Sequence, residues 1–153
     1  THKILKSFDY KSYEISNFSK INFECKHNLN YWNIGSYLGY GPSAHSYDGN
    51  KRWNNVKSID SYIKKITLCK SPISFSENLT KENKINEIIG FGLRTSSGIF
   101  IKNIPEPFIN KFYYNLDLAL IKWKNCISIN KKFIKLKNKG LIYGDAIAID
   151  LMI

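Results

Sequence analysis

The sequence predicts an α/β chain in two parts, a mixed strand-and-helix part up to about residue 70 and a small helical, winged-helix-like module from residue 81 onward. Three observations carry this. Residues 11–18 alternate with period two, the apolar spacing becomes helical from Val56, and beyond residue 80 two helical patterns precede a hairpin pattern and a last apolar helix. With 153 residues the chain can bury roughly two thirds of its unfolded surface, enough for one domain or two small ones.

Over residues 11–18, Tyr13, Ile15 and Asn17 fall on one side and Ser12, Glu14 and Ser16 on the other, a short half-buried strand. Gly35, Gly39 and Gly41 with Pro42 break the next segment into a strand and a tight turn. Val56, Ile59, Ile63 and Ile66, with Tyr62 alongside, give a helix beginning near Ser58 and stopped by Ser71 and Pro72. Residues 71–80 read as the linker between domains 1–70 and 81–153.

In the second part Thr80 can cap a helix carrying Ile85, Ile88, Ile89 and Leu93. A second helix follows Pro107, with Phe108, Ile109, Phe112, Tyr113, Leu116, Leu120 and Trp123 at helical spacing. Residues 126–129 and 132–136 alternate across Asn130 and Lys131, a β-hairpin, and a last helix takes in Leu141, Ile142, Ala146 and Ile149. The aromatics of this module read as core.

The net charge of +11 is nearly all lysine: 21 of 23 cations, with Arg52 and Arg94 the exceptions. Phosphate and base recognition favours the bidentate guanidinium, so nucleic acid is not an expected partner, even with Lys131, Lys132 and Lys135 around the hairpin. Lys, Asn and Ile are in excess together, as A/T-rich coding would produce. These lysines either solvate the surface or hold the protein near an anionic membrane. No stretch approaches the roughly 18 apolar residues of a membrane span, and no signal-peptide layout opens the chain, so a cytoplasmic location is expected.

Three cysteines, Cys25, Cys69 and Cys126, form no C-x-x-C pair, and their odd number argues against a disulfide framework. Cys69 on an apolar face and Cys126 at the mouth of a strand read as buried thiols. Cys25, flanked by charges and two places before His27, stands either as a ligand or as a bystander.

The densest chemistry lies in residues 24–32, E-C-K-H-N-L-N-Y-W, and 37–46, Y-L-G-Y-G-P-S-A-H-S. His27 and Tyr31, four apart, share a face in a helix or a strand. Trp32 points elsewhere, as a packing anchor or a stacking plane. Imidazole can ligate iron and the rings offer area to a flat macrocycle, or His27 and Asn28 simply hold a loop by hydrogen bonds. The glycines of the second segment permit close backbone approach and positive φ, a common way of presenting N–H groups to a ligand, with Ser43 and His45 just past the turn.

The order Y-E-I-S-N-F, E-C-K-H-N-L-N-Y-W, Y-L-G-Y-G-P-S-A-H-S, R-W-N-N-V and G-F-G-L-R-T-S-S-G-I resembles the carboxyl-terminal half of the HemW-type radical SAM haem chaperones, relatives of the oxygen-independent coproporphyrinogen oxidases. The resemblance implies an α/β fold, the C-terminal end of a partial (β/α) barrel followed by a HemN-type C-terminal domain. It implies that the signature H-N-x-x-Y-W, met by His27, Asn28, Tyr31 and Trp32, binds haem, with His27 as axial ligand and Cys25 as a possible second metal ligand. It places Gly41, Ser43, Ala44 and His45 in or near an S-adenosylmethionine (SAM) pocket, and His45 leans toward the chaperone branch. Respiratory haem proteins would be the acceptors.

The family's four-iron (4Fe-4S) cluster is held by C-x-x-x-C-x-x-C, a spacing that Cys25, Cys69 and Cys126 do not meet. The chain therefore reads as a fragment, with SAM and cluster belonging to an intact parent and no catalysis expected of this chain. A fragment of a coproporphyrinogen III oxidase is the alternative.

Overall fold

The computed structural model describes residues 2–137 and 139–153. In chain order the first elements are α1 (His2–Ser7), β1 (Lys11–Ser12), β2 (Phe18–Ser19), α2 (Lys26–Trp32), β3 (His45–Tyr47), β4 (Lys51–Asn55), α3 (Ile59–Thr67) and β5 (Ile73–Asn78). They are followed by α4 (Lys81–Arg94), β6 (Ile99–Phe100), α5 (Glu106–Lys122), β7 (Ile127–Ile129), β8 (Phe133–Leu136) and α6 (Gly144–Leu151). Every strand pair is antiparallel, in sheets ordered β1-β2, β3-β4-β5 and β6-β8-β7.

Two compact units result, one joining the chain up to Asn33 with Glu82–Ile153, the other formed by Ile34–Lys81. This corrects the expected division at residues 71–80. That stretch is not a linker, because Ile73, Phe75 and Glu77 alternate with Ser74, Ser76 and Asn78 in a strand that pairs along β4. The first 33 residues join the C-terminal module because the segment after β1 zips onto the end of α4. Glu14 bridges Thr95, and the Ile15 and Ser96 amides donate to the Arg94 and Tyr13 carbonyls at 2.9 and 3.0 Å. The same pairing breaks the strand expected over residues 11–18 into β1 and β2, and buries both Tyr13 and Glu14, expected on opposite sides.

The core of this larger unit lies between three helices and a sheet. Ile85, Ile89 and Leu93 of α4 and Phe112, Leu116 and Ala119 of α5 recur at helical spacing and face inward. They meet Ile99, Ile127 and Ile134 of the sheet and Ile147, Ala148 and Leu151 of α6. α5 starts two residues before its expected position, with Pro105 as N-cap and Pro107 inside the first turn, where a missing N–H costs nothing. The hairpin forms as expected, and Cys126 is buried at its start. β6, too short to show a period, adds a third strand. It follows Gly98, whose φ of +78 and closeness to the Ile134 carbonyl exclude a side chain.

The last helix is rotated from its expected face. Ile147, Ala148 and Leu151 are buried, while Ile142, Ala146 and Ile149 point out, Ile142 to 81% exposure. Polar clamps set that rotation. Asn86 of α4 accepts from the Ile153 amide at 2.7 Å and donates to its carbonyl at 3.1 Å, and Asn115 donates to the Met152 carbonyl at 2.6 Å. Asp150 accepts from Lys122 and from the Trp123 indole at 2.5 Å.

In the smaller unit, β4 is the central strand between β3 and β5, with a register shift at Asn54 and Asn55. Ser58 caps α3 by accepting from the Ser61 amide at 3.2 Å. The helix turns Tyr62 inward, not its isoleucine stripe: Ile59, Ile63 and Ile66 are all about half exposed or more. Cys69, expected on a buried apolar face, is exposed just beyond the helix end with φ +52.

Phe112→Ala should cost about 3–5 kcal/mol, the usual toll of a large cavity in a packed core, read by urea denaturation. Hydrogen bonds from Lys122 and then Trp123 hold the Asp150 carboxyl below its ordinary 3.8. A depressed folded-state value means that stabilisation is complete above the unfolded pKa and is lost as pH falls through the folded one. Asp150→Asn should therefore lower Tm at neutral pH, and the gap to the wild type should close below pH 3.8; a gap that persists in acid would contradict the assignment.

Candidate functional site

The segment E-C-K-H-N-L-N-Y-W forms α2, whose first internal bond runs from the Leu29 amide to the Cys25 carbonyl at 3.0 Å. Cys25 is its N-cap residue but gives no side-chain cap, and its thiol is exposed. Four-residue spacing on the helix brings His27 and Tyr31 together, ring centroids 4.8 Å apart and planes at 89°. His27 is exposed while Tyr31 is half-buried, so the phenol ring steers an imidazole that faces outward.

The remaining signature residues hold the helix. The Asn28 amide nitrogen donates to the hydroxyl of buried Tyr13 at 3.4 Å. Trp32 meets Phe91 edge-on at 5.8 Å, and the Arg94 guanidinium lies 5.2 Å from the indole centroid. Of the two roles open to Trp32, anchor or stacking plane, the fold uses the anchor. Its Nε1 is buried without a hydrogen-bond partner, as is the Nε of Arg94. Arg94 is tethered to Asp145 at 3.2 Å. Asn33 caps the helix end, and Ile34 follows at φ +58, a left-handed conformation costly for a β-branched residue.

Gly41, Ser43, Ala44 and His45 belong to the smaller unit, His27, Asn28, Tyr31 and Trp32 to the larger one. Built on Gly39, a Cβ would lie 2.2 Å from the His45 carbonyl oxygen, so only glycine allows the turn to close on β3. The backbone amides of Gly39, Gly41 and Ser43 are spent inside the unit. The Gly39 amide bonds the Ser46 hydroxyl at 2.9 Å, that of Gly41 the Tyr62 hydroxyl at 3.1 Å, and that of Ser43 the Val56 carbonyl at 3.0 Å. Asn55 donates to the Gly41 carbonyl at 2.9 Å. Outward the turn presents the side chains of Tyr40, Ser43, held at φ +61, and His45, all exposed.

Among the described residues no group of three or more His, Cys, Asp or Glu side chains converges to hold a metal ion. No helix there is long and apolar enough to cross a membrane. Sequence reasoning missed Arg94, Phe91 and Tyr13, which position α2. A signal was available for Arg94, an arginine in a chain whose cations are almost all lysine.

Over 98% of its length the chain has the fold of part of a radical SAM enzyme, coproporphyrinogen III oxidase (HemN) from Escherichia coli, with a TM-score of 0.75 at 17% identity and 38% of that chain covered. No family model matches it. It is 36% identical over 141 residues to the heme chaperone HemW of Buchnera aphidicola from Acyrthosiphon pisum, covering 85% of this chain and 37% of that one. It is 33% identical over 141 residues to the heme chaperone HemW of Bacillus subtilis, covering 88% and 36%. The chain belongs to the HemW-type family, as its carboxyl-terminal part, and spans little more than a third of the length of these relatives.

If Trp32 anchors α2, Trp32→Ala should cost about 2 kcal/mol of stability by urea denaturation, from lost packing and the lost cation–π contact, and Trp32→Phe should recover most of it. Equal stability of wild type and Trp32→Ala would remove the anchor.

Proposed function

We propose that this chain is the haem-binding part of a haem chaperone, with His27 as the axial ligand to the iron. The observation that carries the reading is the division of labour on α2: Asn28 and Trp32 fix the helix, Tyr31 packs against His27, and the His27 imidazole is left facing out. An exposed imidazole can offer a ring nitrogen to iron, and the Tyr31 edge limits its rotation. Asn28 and Trp32 hold the helix through Tyr13, Phe91 and Arg94. The names of the relatives, heme chaperones, support the same reading.

In this proposal haem is cargo, taken up in the cytoplasm and passed to respiratory haem proteins, with the lysine-rich surface favouring peripheral contact with an anionic membrane. SAM and a 4Fe-4S cluster would belong to a longer parent. The residues here do not fit the cluster, since Cys126 is buried and Cys25 and Cys69 lie exposed in different units. Toward SAM, the glycine turn offers the exposed side chains of Tyr40, Ser43 and His45. The alternative, part of a coproporphyrinogen oxidase, has the likeness to the Escherichia coli enzyme in its favour, but at 17% identity that likeness concerns the fold alone.

Haemin titrated into the 153-residue chain should give a shifted Soret band that His27→Ala abolishes, with Tyr31→Ala weakening it less. An identical Soret band and affinity in His27→Ala would refute axial ligation by this residue.

A further inference from the structure

The hairpin and turn that lead into α2 build a second feature. β1 and β2 pair Lys11 with Ser19 and Ser12 with Phe18, a register that sets Tyr10 across from Lys20 at the open end. Alternation then puts Tyr10, Phe18 and Lys20 on one face of the ribbon. The Lys20 ammonium stands 5.9 Å from the centre of the Tyr10 ring. The chain next reverses through a turn in which the Phe23 amide donates to the Lys20 carbonyl at 3.1 Å and Asn22 takes φ +69. That turn brings Phe23 back as a further wall.

The result is an open groove of about 490 Å³ lined by Tyr10, Phe18, Ser19, Lys20 and Phe23, within the size range of small-molecule sites. Three of its five lining residues are aromatic, and Lys20 is the only charged one. Phe23 is 79% exposed and Tyr10 38%, so the rings face the groove's solvent side and are not consumed by the core. Aromatic walls gain most from a flat, apolar π-surface, and a single ammonium at the rim gains from a carboxylate. Phe23 lies only four positions before His27 in the sequence.

We propose that this groove is a porphyrin-binding platform, in which Tyr10, Phe18 and Phe23 contact the macrocycle and Lys20 pairs with a propionate. The proposal rests on the haem-binding reading but makes no use of the iron. It assigns macrocycle affinity to the hairpin and iron ligation to α2.

Metal-free protoporphyrin IX, titrated into the full chain and followed by its fluorescence, tests the platform. Phe23→Ala and Lys20→Ala should each weaken binding about five- to tenfold, the scale of one aromatic or charge-assisted contact. For protoporphyrin dimethyl ester, which lacks the carboxylates, the Lys20→Ala effect should vanish while that of Phe23→Ala stays. Both side chains are exposed, and unchanged circular dichroism will show that the variants fold. Equal affinity of both variants and the wild type for protoporphyrin IX, or no binding by the wild type, overturns the platform. Failure of the ligation reading shows separately, as a haemin spectrum indifferent to His27 while the metal-free titrations behave as expected.

Discussion

Trp32 held between Phe91 and the Arg94 guanidinium is the contact on which the candidate site depends. α2 has only seven residues, too few to be stable alone in water, and buries none of them fully. Its orientation is therefore borrowed from α4 through the indole and from Tyr13 through Asn28. Arg94 serves both sides of this arrangement: its carbonyl takes the Ile15 amide, and its guanidinium covers Trp32. The pairing that draws the first 33 residues onto the C-terminal module and the packing that aims His27 outward thus meet at one residue.

The C-terminal module is suited to carry such a load. Its core is continuous across α4, α5, α6 and the β6-β8-β7 sheet, and its chain end is tied down by Asn86 and Asn115. A firmly packed α4 gives α2 a fixed surface, whereas the signature helix itself stays near the solvent. Under the proposed haem-binding reading this placement suits a cargo, because a ligand that must leave again is better held at a surface than in a core.

Strong periodicity made α3, α4, α5 and the β7-β8 hairpin legible from the sequence, because each repeats its pattern over several turns or pairs. β6 was not, since two residues carry no period, and the alternation of residues 11–18 showed a strand but not its break into β1 and β2. The isoleucine stripe of α3 misled for a different reason: amphipathic spacing reports a face able to be buried, and Tyr62 supplies the inward contact instead. The face of α6 was misread because Asn86 and Asn115, far away in sequence, fix its end. At the site, His27 and Tyr31 were legible because four-residue spacing converges in either regular structure. The partners Tyr13, Phe91 and Arg94 were not, being brought in by tertiary pairing alone.

In the proposed function the His27 imidazole itself supplies the iron ligand while the rest of α2 serves to aim it. Chemical rescue tests this. His27→Gly loaded with haemin should lose the wild-type absorption spectrum and regain it when free imidazole is added, since the vacated position admits an exogenous ligand. A His27→Gly spectrum that already matches the wild type, or that imidazole leaves unchanged, would contradict it.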